Sequence, residues 1–485
     1  MHLLTDLAYP KAEGVAPDAN DLKLMRVFAE EWPEICAVIL KDGVMTLRPV
    51  DVREPEDGKR VLELLRRKQK ENPKGVKETG ISEKNIEALA NLMPSYCAEH
   101  PLDLCPSGKV LAPDGGTSSK QLEAACRNLY GKVCEIRMGA RVVDLIMNGK
   151  QVVGAVVQVK GGKSIRVRAR GGVIFASGGF AQNKKMMAKE FGALGPFGSC
   201  AARTNVGDFV DIANRYKIPV SGMDMGWMKQ VVLPYQFPRR LGVFFCNGDS
   251  YMIVDRTGNR FACDRDFYQQ RGEQMRGRAD RRCVFFVFDE RVWKNCEGPI
   301  KGLGSAYPML EGDEDAVIRG NNEEELTDGI RDKLKQVAPD FALEPGFGAA
   351  LQAQILRFNA MAVKGVDTEF GRGNNVAQYC WSVPRAKDNK YPNKTMYPLD
   401  RAKLCCVILG LSVLDTKGGP SINGQGQVLG ADHQPVPGLY GAGNAVRSFT
   451  RKSYPASGVT ISSAVLFGWK AGMHAAQAAA KQSNL

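Results

Sequence analysis

PGLYGAGNAVRSFTRKSYPASGVTISSAVLFGWKAGMHAA, residues 437–476, is the stretch that decides the fold. It begins with a short apolar strand at Leu439 and Tyr440 and continues into the glycine-rich turn 441–444. After Gly458 it becomes a long run of small and apolar residues with helical periodicity. Glycines allow close approach to the backbone, and the unpaired amides at a helix start favour an anionic or electron-rich ligand. The stretch predicts a strand, a ligand-binding turn and a helix, whereas a plain connection with turn glycines would have the same spacing.

The composition is that of an ordinary globular protein with a sizeable core. The chain has 485 residues, of which 44% are hydrophobic and 25% charged, and this length suggests about three domains or one large two-domain enzyme. The formal net charge is +13, but the basic residues are spread along the chain and no nucleic-acid-binding motif accompanies them. We therefore predict no nucleic-acid partner and a solvated basic surface, with attraction of a phosphate-bearing cofactor or a CoA-type substrate as the functional alternative.

Cysteine and histidine usage argues against a metal site. The 13 cysteines include no CxxC pair, and the four histidines have no metal-ligand spacing. The cysteines are predicted to be reduced and the protein cytoplasmic, because the first ten residues also lack the pattern of a secretory signal. The longest apolar run, 404–414, is too short for a bilayer, so no integral membrane span is predicted.

Hydrophobic periodicity predicts the elements outside the opening stretch. A β-meander is expected at 140–146, 151–159 and 164–169, and further strands at 242–245, 251–254 and 283–288. Helices are expected at 19–30, 58–70, 83–92, 117–129, 209–216 and 322–336, the last of them charged and exposed.

Several stretches resemble the fumarate reductase / 3-ketosteroid Δ1-dehydrogenase family of FAD-dependent oxidoreductases. GLYGAGN at 438–444 followed by YPASGVTISSAVLFGWKAGMHAA at 454–476 is similar to the family's flavin-end signature. GVIFASGGF at 172–180 resembles its VVLATGGF, and TNVGD at 204–208 its TGDG step. DTKGGP at 415–420 resembles the GTKGG of the ketosteroid branch. The resemblance extends from about residue 134 to the C-terminus.

The resemblance implies an α/β fold in which an α+β substrate (catalytic) domain is inserted into a Rossmann-like FAD-binding domain. The implied divisions are 1–227 and 416–485 for the FAD-binding domain and 228–415 for the substrate domain. No GxGxxG turn lies near the N-terminus, although that turn binds the ADP half of the cofactor. The FAD-binding domain is therefore predicted to be incomplete. A truncated sequence, a partner chain that supplies the ADP-binding unit and a loss of FAD binding all stay open.

The resemblance also names residues that would contact FAD. They lie in the meander, the ASGG turn, the TNVGD step and the flavin-end signature: Val143, Ala176, Ser177, Gly178, Asp208, Gly443, Asn444, Val459 and Thr460.

Tyr268 is the predicted catalytic base. RFACD at 260–264 resembles the family's GRRFVNE, and four residues beyond its acidic position the fumarate reductases have an arginine and the ketosteroid dehydrogenases a tyrosine. The ordinary pKa of tyrosine is about 10, so a base near neutral pH needs a neighbouring cation, for which Arg265 and Arg271 are candidates. Tyr454 and the backbone amide of Gly458 are expected to hold the substrate carbonyl oxygen. Both tyrosines could instead be packed aromatic residues.

These residues predict an enzyme that introduces or reduces a C=C bond conjugated to a ketone, with FAD as cofactor and a small hydrophobic ketone as substrate. The sequence identifies no electron acceptor. One alternative is a fumarate-reductase-like enoate reductase, which Arg447 and Arg451 would support. The other is a non-catalytic subunit or remnant that needs a partner chain to bind FAD.

Overall fold

A computed structural model describes most of the chain beyond residue 133. The described residues are 8–9, 15–41, 123, 125–127, 134–192, 195–199, 201–233, 248–295, 316–374, 378, 388–455 and 458–483. Its helices are α1 Ala19–Lys41, α2 Lys184–Phe191, α3 Asp208–Arg215, α4 Tyr268–Met275, α5 Glu290–Asn295, α6 Glu323–Val337, α7 Phe347–Lys364 and α8 Val459–Ser483.

The strands form four sheets. In chain order they are β1 Ala140–Asn148, β2 Gln151–Val159, β3 Ser164–Arg168, β4 Val173–Phe175, β5 Val220–Ser221, β6 Gly226–Val232, β7 Tyr251–Val254, β8 Cys283–Asp289, β9 Ile318–Gly320, β10 Leu404–Thr416, β11 Gly419–Pro420, β12 Gln427–Leu429 and β13 Pro435–Gly441. The sheets are the meander β1-β2-β3, the three-stranded β12-β13-β4, the pair β11-β5, and a five-stranded sheet of order β6-β10-β8-β7 with β9 also on β10.

The parallel pair β4 and β13 sets the position of the predicted ligand-binding turns. Leu439 lies opposite Val173, and Gly441 lies opposite Phe175. Both strands therefore end at the same edge of the sheet, where the ASGG and GAGN turns begin. Carboxyl ends of neighbouring parallel strands are where open α/β sheets bind ligands.

The five-stranded sheet contains the largest hydrophobic core. Its central strand β10 pairs antiparallel with both β6 and β8. Alternate β10 residues enter different clusters: Cys406 and Ile408 pack with α6 and α7, whereas Cys405 and Val407 face the opposite side. A strand that is buried on both faces has a nearly continuous apolar sequence. Burial of β10 within the protein therefore accounts for the apolar run 404–414.

Most predicted elements in the described part of the chain are present, with two clear differences. Helix α6 is not fully exposed, because Leu326 and Ile330 lie in the core; charged residues dominate its sequence and conceal this buried stripe. Helix α1 continues past residue 30 and through Pro33 to Lys41, and Ile35 beyond the proline is buried against the core.

Some predicted elements lie outside the described residues: the helices at 58–70 and 83–92 and the strand at 242–245. Of the helix at 117–129, the described residues Glu123 and 125–127 are helical. The predicted domain division stays a prediction. One boundary lies within β6, which is the first strand of the five-stranded sheet in chain order. The other lies near the end of β10, which is the last. In the part of the chain that the structure describes, no helix combines the length and apolarity of a membrane span.

Candidate active site

The carboxylate of Asp415 connects three predicted cofactor motifs. Its Oδ2 accepts hydrogen bonds from the Gly179 amide at 3.0 Å, from Asn205 Nδ2 at 2.7 Å and from Asn444 Nδ2 at 3.0 Å. Its Oδ1 accepts from the Thr416 amide at 2.9 Å. Burial raises the pKa of Asp415, whereas the hydrogen-bond donors oppose this rise because they favour the ionised carboxylate. The end of β10 thus fixes the ASGG, TNVGD and GAGN turns relative to one another.

The turns carry polar atoms that suit a bound cofactor. The hydroxyls of Ser177 and Thr460 are buried, and neither has a hydrogen-bond partner among the described residues. Gly178 and Gly443 have φ angles of +75° and +65°, a left-handed conformation that side chains disfavour. Gly458, with φ +86°, leads directly into α8, whose first amides lack intrahelical partners. Unsatisfied buried hydroxyls beside a helix start fit an electron-rich ligand such as FAD.

The remaining predicted cofactor residues lie on neighbouring elements. The β1–β2 register passes from Val142 to Asp144, which leaves Val143 in a bulge. The Val143 carbonyl accepts a hydrogen bond from Arg215 Nη2 at 2.5 Å. Asp208 starts α3 and pairs with Arg141, directly after Gly207, whose amide donates to the Gly179 carbonyl. Ala176 is exposed at the end of β4.

The three predicted catalytic residues meet at the start of α8. Tyr268 and Tyr454 are buried with ring centroids 5.1 Å apart. Trp227 packs against Tyr454 edge to face, with centroids 5.4 Å apart. Val459, next to Gly458, completes this aromatic cluster.

Asn444 joins the aromatic cluster to the cofactor turns. Trp227 Nε1 donates a hydrogen bond to Asn444 Oδ1 at 2.9 Å, while the Asn444 amide nitrogen reaches Asp415. The side chain of Asn444 is therefore used within the protein, and it fixes the turn relative to the aromatic rings.

Two buried lysines lie against the aromatic rings. Lys229 Nζ is 3.9 Å from the centroid of the Tyr268 ring. Lys417 Nζ is 3.8 Å from the Trp227 ring and donates to the Ser453 carbonyl at 2.7 Å. Burial holds the pKa of Lys417 well below its ordinary value.

Arg265 and Arg271, the cations predicted to make Tyr268 a base near neutral pH, have other partners. Arg265 donates to the carbonyls of Gly248 and Gln378. Arg271 donates to the carbonyls of Asp264 and Asp266. The cation that the structure places over the Tyr268 ring is instead Lys229, because the start of α4 packs against β6, which carries it.

Sequence reasoning did not identify Trp227, Lys229 or Asp415 as site residues. Lys229 is the one charged residue of β6, all seven residues of which are buried. A charge inside an apolar strand was the available signal, since such a residue is costly to bury. Asp415 begins the DTKGGP stretch that resembles the family's GTKGG, but that resemblance gave it no role in the site.

A parallel strand pair that ends in glycine turns, a helix start that follows one of them in the chain, and a separate five-stranded sheet form a mixed α/β fold. The family model described as FAD binding domain matches residues 8–461. The chain belongs to this family, which confirms the resemblance seen in the sequence, and the family's cofactor is FAD.

Several curated proteins are similar to this chain. A 3-oxosteroid 1-dehydrogenase of Mycobacterium tuberculosis is 27% identical over 362 residues, which are 72% of this chain and 61% of that protein. A 4-oxocyclohexanecarboxylate 2-dehydrogenase of Sinomonas cyclohexanicum is 26% identical over 63% of this chain and 51% of its own length. A cytochrome-type fumarate reductase of Shewanella frigidimarina is 24% identical over 75% of this chain and 55% of its own length. The chain thus spans between half and two thirds of these relatives.

Solved structures share the fold. The 3-ketosteroid Δ1-dehydrogenase of Sterolibacterium denitrificans, in complex with 1,4-androstadiene-3,17-dione, superposes with a TM-score of 0.64 at 22% identity, covering 76% of this chain and 64% of that one. The open conformation of a flavocytochrome c3 fumarate reductase gives a TM-score of 0.51 at 20% identity, covering 90% and 71%.

Proposed function

We propose that this protein is an FAD-dependent oxidoreductase that introduces or reduces a C=C bond conjugated to a ketone, in the manner of a 3-ketosteroid Δ1-dehydrogenase. The observation that carries the proposal is the pair of buried tyrosine rings, Tyr268 and Tyr454, 5.1 Å apart at the start of α8. A tyrosine pair beside the start of a helix suits proton removal next to a carbonyl, because the first amides of a helix lack intrahelical partners. The substrate is a small hydrophobic ketone, because the surrounding cluster is aromatic.

Each residue has a distinct role in the proposed reaction. Tyr268 removes a proton from the carbon next to the ketone carbonyl. Tyr454 and the amide of Gly458 hold the carbonyl oxygen and stabilise the negative charge of the enolate. Bound FAD supplies the acceptor for the hydride that leaves the adjacent carbon. In the proposed domain division Tyr268 belongs to the substrate domain, and Tyr454 and Gly458 belong to the FAD-binding domain.

The arginines that would support an enoate reductase are engaged elsewhere. Arg447 Nη2 pairs with Asp21 Oδ2 at 2.5 Å. The Arg451 guanidinium lies 4.6 Å from the centroid of the Tyr9 ring. A substrate carboxylate would have to displace Asp21 from Arg447, so the ketone is the favoured substrate class.

Replacing each tyrosine with phenylalanine tests the proposal. With a ketone substrate and an artificial electron acceptor, Tyr268→Phe should lower kcat by at least about 100-fold while FAD binding persists, since the ring stays and the proton acceptor is lost. Tyr454→Phe should lower kcat in the same direction. Tyr397→Phe is the control, because Tyr397 packs against Tyr391 away from the cluster. Near-normal turnover by Tyr268→Phe would remove Tyr268 from the mechanism.

The cofactor requirement is tested by purification. A chain that holds flavin only together with a second polypeptide would support the partner-chain alternative. A chain that holds flavin but turns over fumarate and no ketone would support the enoate reductase.

A further inference from the structure

Lys229 occupies an unusual position for a lysine. It lies in the middle of β6 and has a relative exposure of 0%. Its neighbours in sequence, Met228 and Gln230, are also buried. Burying an ammonium group costs several kcal/mol unless a partner compensates it. Buried ionisable groups with a specific partner concentrate at functional sites.

The aromatic cluster is where Lys229 finds its partner. Trp227 and Lys229 are two residues apart on one strand, so their side chains leave the same face of the sheet. Trp227 packs on Tyr454, and the Lys229 ammonium lies 3.9 Å from the centroid of the Tyr268 ring. The Gln230 side chain also donates to the Tyr268 carbonyl at 3.1 Å, which fixes the start of α4 against β6.

We propose that Lys229 is a positioning residue that stabilises the phenolate form of Tyr268 and so makes it a base near neutral pH. The inference rests on the proposed function, in which Tyr268 removes the substrate proton. A cation at this distance attracts a neutral ring modestly and a phenolate much more strongly, because the interaction then joins two full charges, and both side chains are buried.

The other charged groups around Tyr268 have partners of their own. On α4, Arg271 binds backbone carbonyls and Glu273 pairs with Arg276. In the loop before α4, Asp266 accepts from Gln378 at 2.6 Å. Burial raises the pKa of both Glu273 and Asp266, while the neighbouring Arg276 and Arg271 oppose this rise.

Two further titratable side chains, Lys417 and Tyr454, lie in or beside the aromatic cluster that contains Tyr268. Lys417 lies over the Trp227 ring, and burial lowers its pKa well below the ordinary value. Tyr454 packs on Tyr268 from the loop before α8.

The proton balance of the step is simple. The C–H bond next to the substrate carbonyl breaks, and its electron pair stays on the substrate as the enolate. An O–H bond forms on Tyr268, while Lys229 keeps its own proton throughout. The phenolate is restored when Tyr268 releases this proton to water after the product leaves.

Ultraviolet difference titration of tyrosinate tests the pair without turnover. Subtracting the titration of Tyr268→Phe from that of the full-length wild-type chain isolates Tyr268 among the 13 tyrosines. The midpoint should lie below the ordinary value of about 10. In Lys229→Met, whose side chain has a similar length and no charge, the midpoint should rise by about two pH units. Lys229→Arg keeps the cation and should restore a low midpoint.

Controls separate this role from a structural one. Lys335→Met, on an exposed helical face where Lys335 pairs with Asp332, should leave the midpoint unchanged. An equal midpoint in wild type and Lys229→Met would overturn the proposal. If Lys229→Met does not fold, a wild-type midpoint at or above about 10 would overturn it equally. A low midpoint that depends on Lys229 in a chain that turns over no ketone would support the pair and contradict the proposed reaction alone.

Discussion

Asp415 shows how one buried carboxylate can organise a binding site. It accepts four hydrogen bonds, from the amides of Gly179 and Thr416 and from the side chains of Asn205 and Asn444. An ionised carboxylate has only acceptors, and all four of these partners are donors. The geometry therefore requires a carboxylate, and an amide of the same shape would turn a donor toward at least one of them.

Replacing Asp415 with asparagine should loosen the three turns. We expect Asp415→Asn to lower the free energy of unfolding by about 1–3 kcal/mol, because at least one buried donor loses its acceptor. The affinity of Asp415→Asn for FAD should also fall, and titration followed by the flavin absorption spectrum would measure this affinity. Asp211→Asn, at an exposed position on α3, is the matched control. Unchanged stability and flavin affinity in Asp415→Asn would mean that the carboxylate does not hold the turns.

At the scale of elements, the site depends on turns that follow parallel strands. Gly178 lies in the ASGG turn that follows β4 and has a φ angle of +75°. A Cβ atom at this position would lie 2.5 Å from the Asn205 side chain, the same side chain that reaches Asp415. The turn thus needs glycine both for its backbone angle and for the close approach of Asn205.

Two glycine substitutions separate these causes. Gly149 lies in the β1–β2 turn at φ +57°, and among the described residues beyond its chain neighbours no atom lies within 4 Å of the position that an alanine Cβ would take. Gly149→Ala should therefore cost only about 1 kcal/mol for the backbone angle. Gly178→Ala should cost about 2–4 kcal/mol, because the clash with Asn205 adds to that strain. Denaturant unfolding measures both, and flavin affinity should fall only in Gly178→Ala. Equal effects of the two substitutions would show that the contact with Asn205 is unimportant.

Sequence periodicity predicted the elements well where one pattern dominated. Strands β2 and β7 have the bounds that their alternation or apolar composition indicated. The buried face of α6 was missed, because its charged residues outnumber the stripe formed by Leu326 and Ile330.

The site could be predicted only in part. The turn residues and tyrosines belong to motifs that are continuous in sequence, so the resemblance could name them. Lys229 and Trp227 belong to no such motif. Their positions beside Tyr268 and Tyr454 arise from the packing of β6 against α4 and against the loop before α8, which depends on the tertiary fold and leaves no local spacing in the sequence.

At the scale of the whole molecule, the two halves of the site come from distant parts of the chain. Strand β6 and helix α4 supply Lys229 and Tyr268, while the C-terminal stretch supplies Tyr454 and the start of α8. Strand β10, the central strand of the five-stranded sheet, ends at Thr416, which brings Asp415 to the predicted cofactor turns. The two tyrosines proposed as catalytic therefore meet only if both halves are folded together.

The most direct test of the flavin site is the visible spectrum of the purified chain, before and after addition of FAD and desalting. If the turns around Ser177, Gly443 and Thr460 hold the cofactor, as we propose, the absorption bands of oxidised flavin should persist through desalting and Gly178→Ala should weaken them. A folded chain that stays colourless after incubation with excess FAD would contradict the claim that these turns form a flavin site.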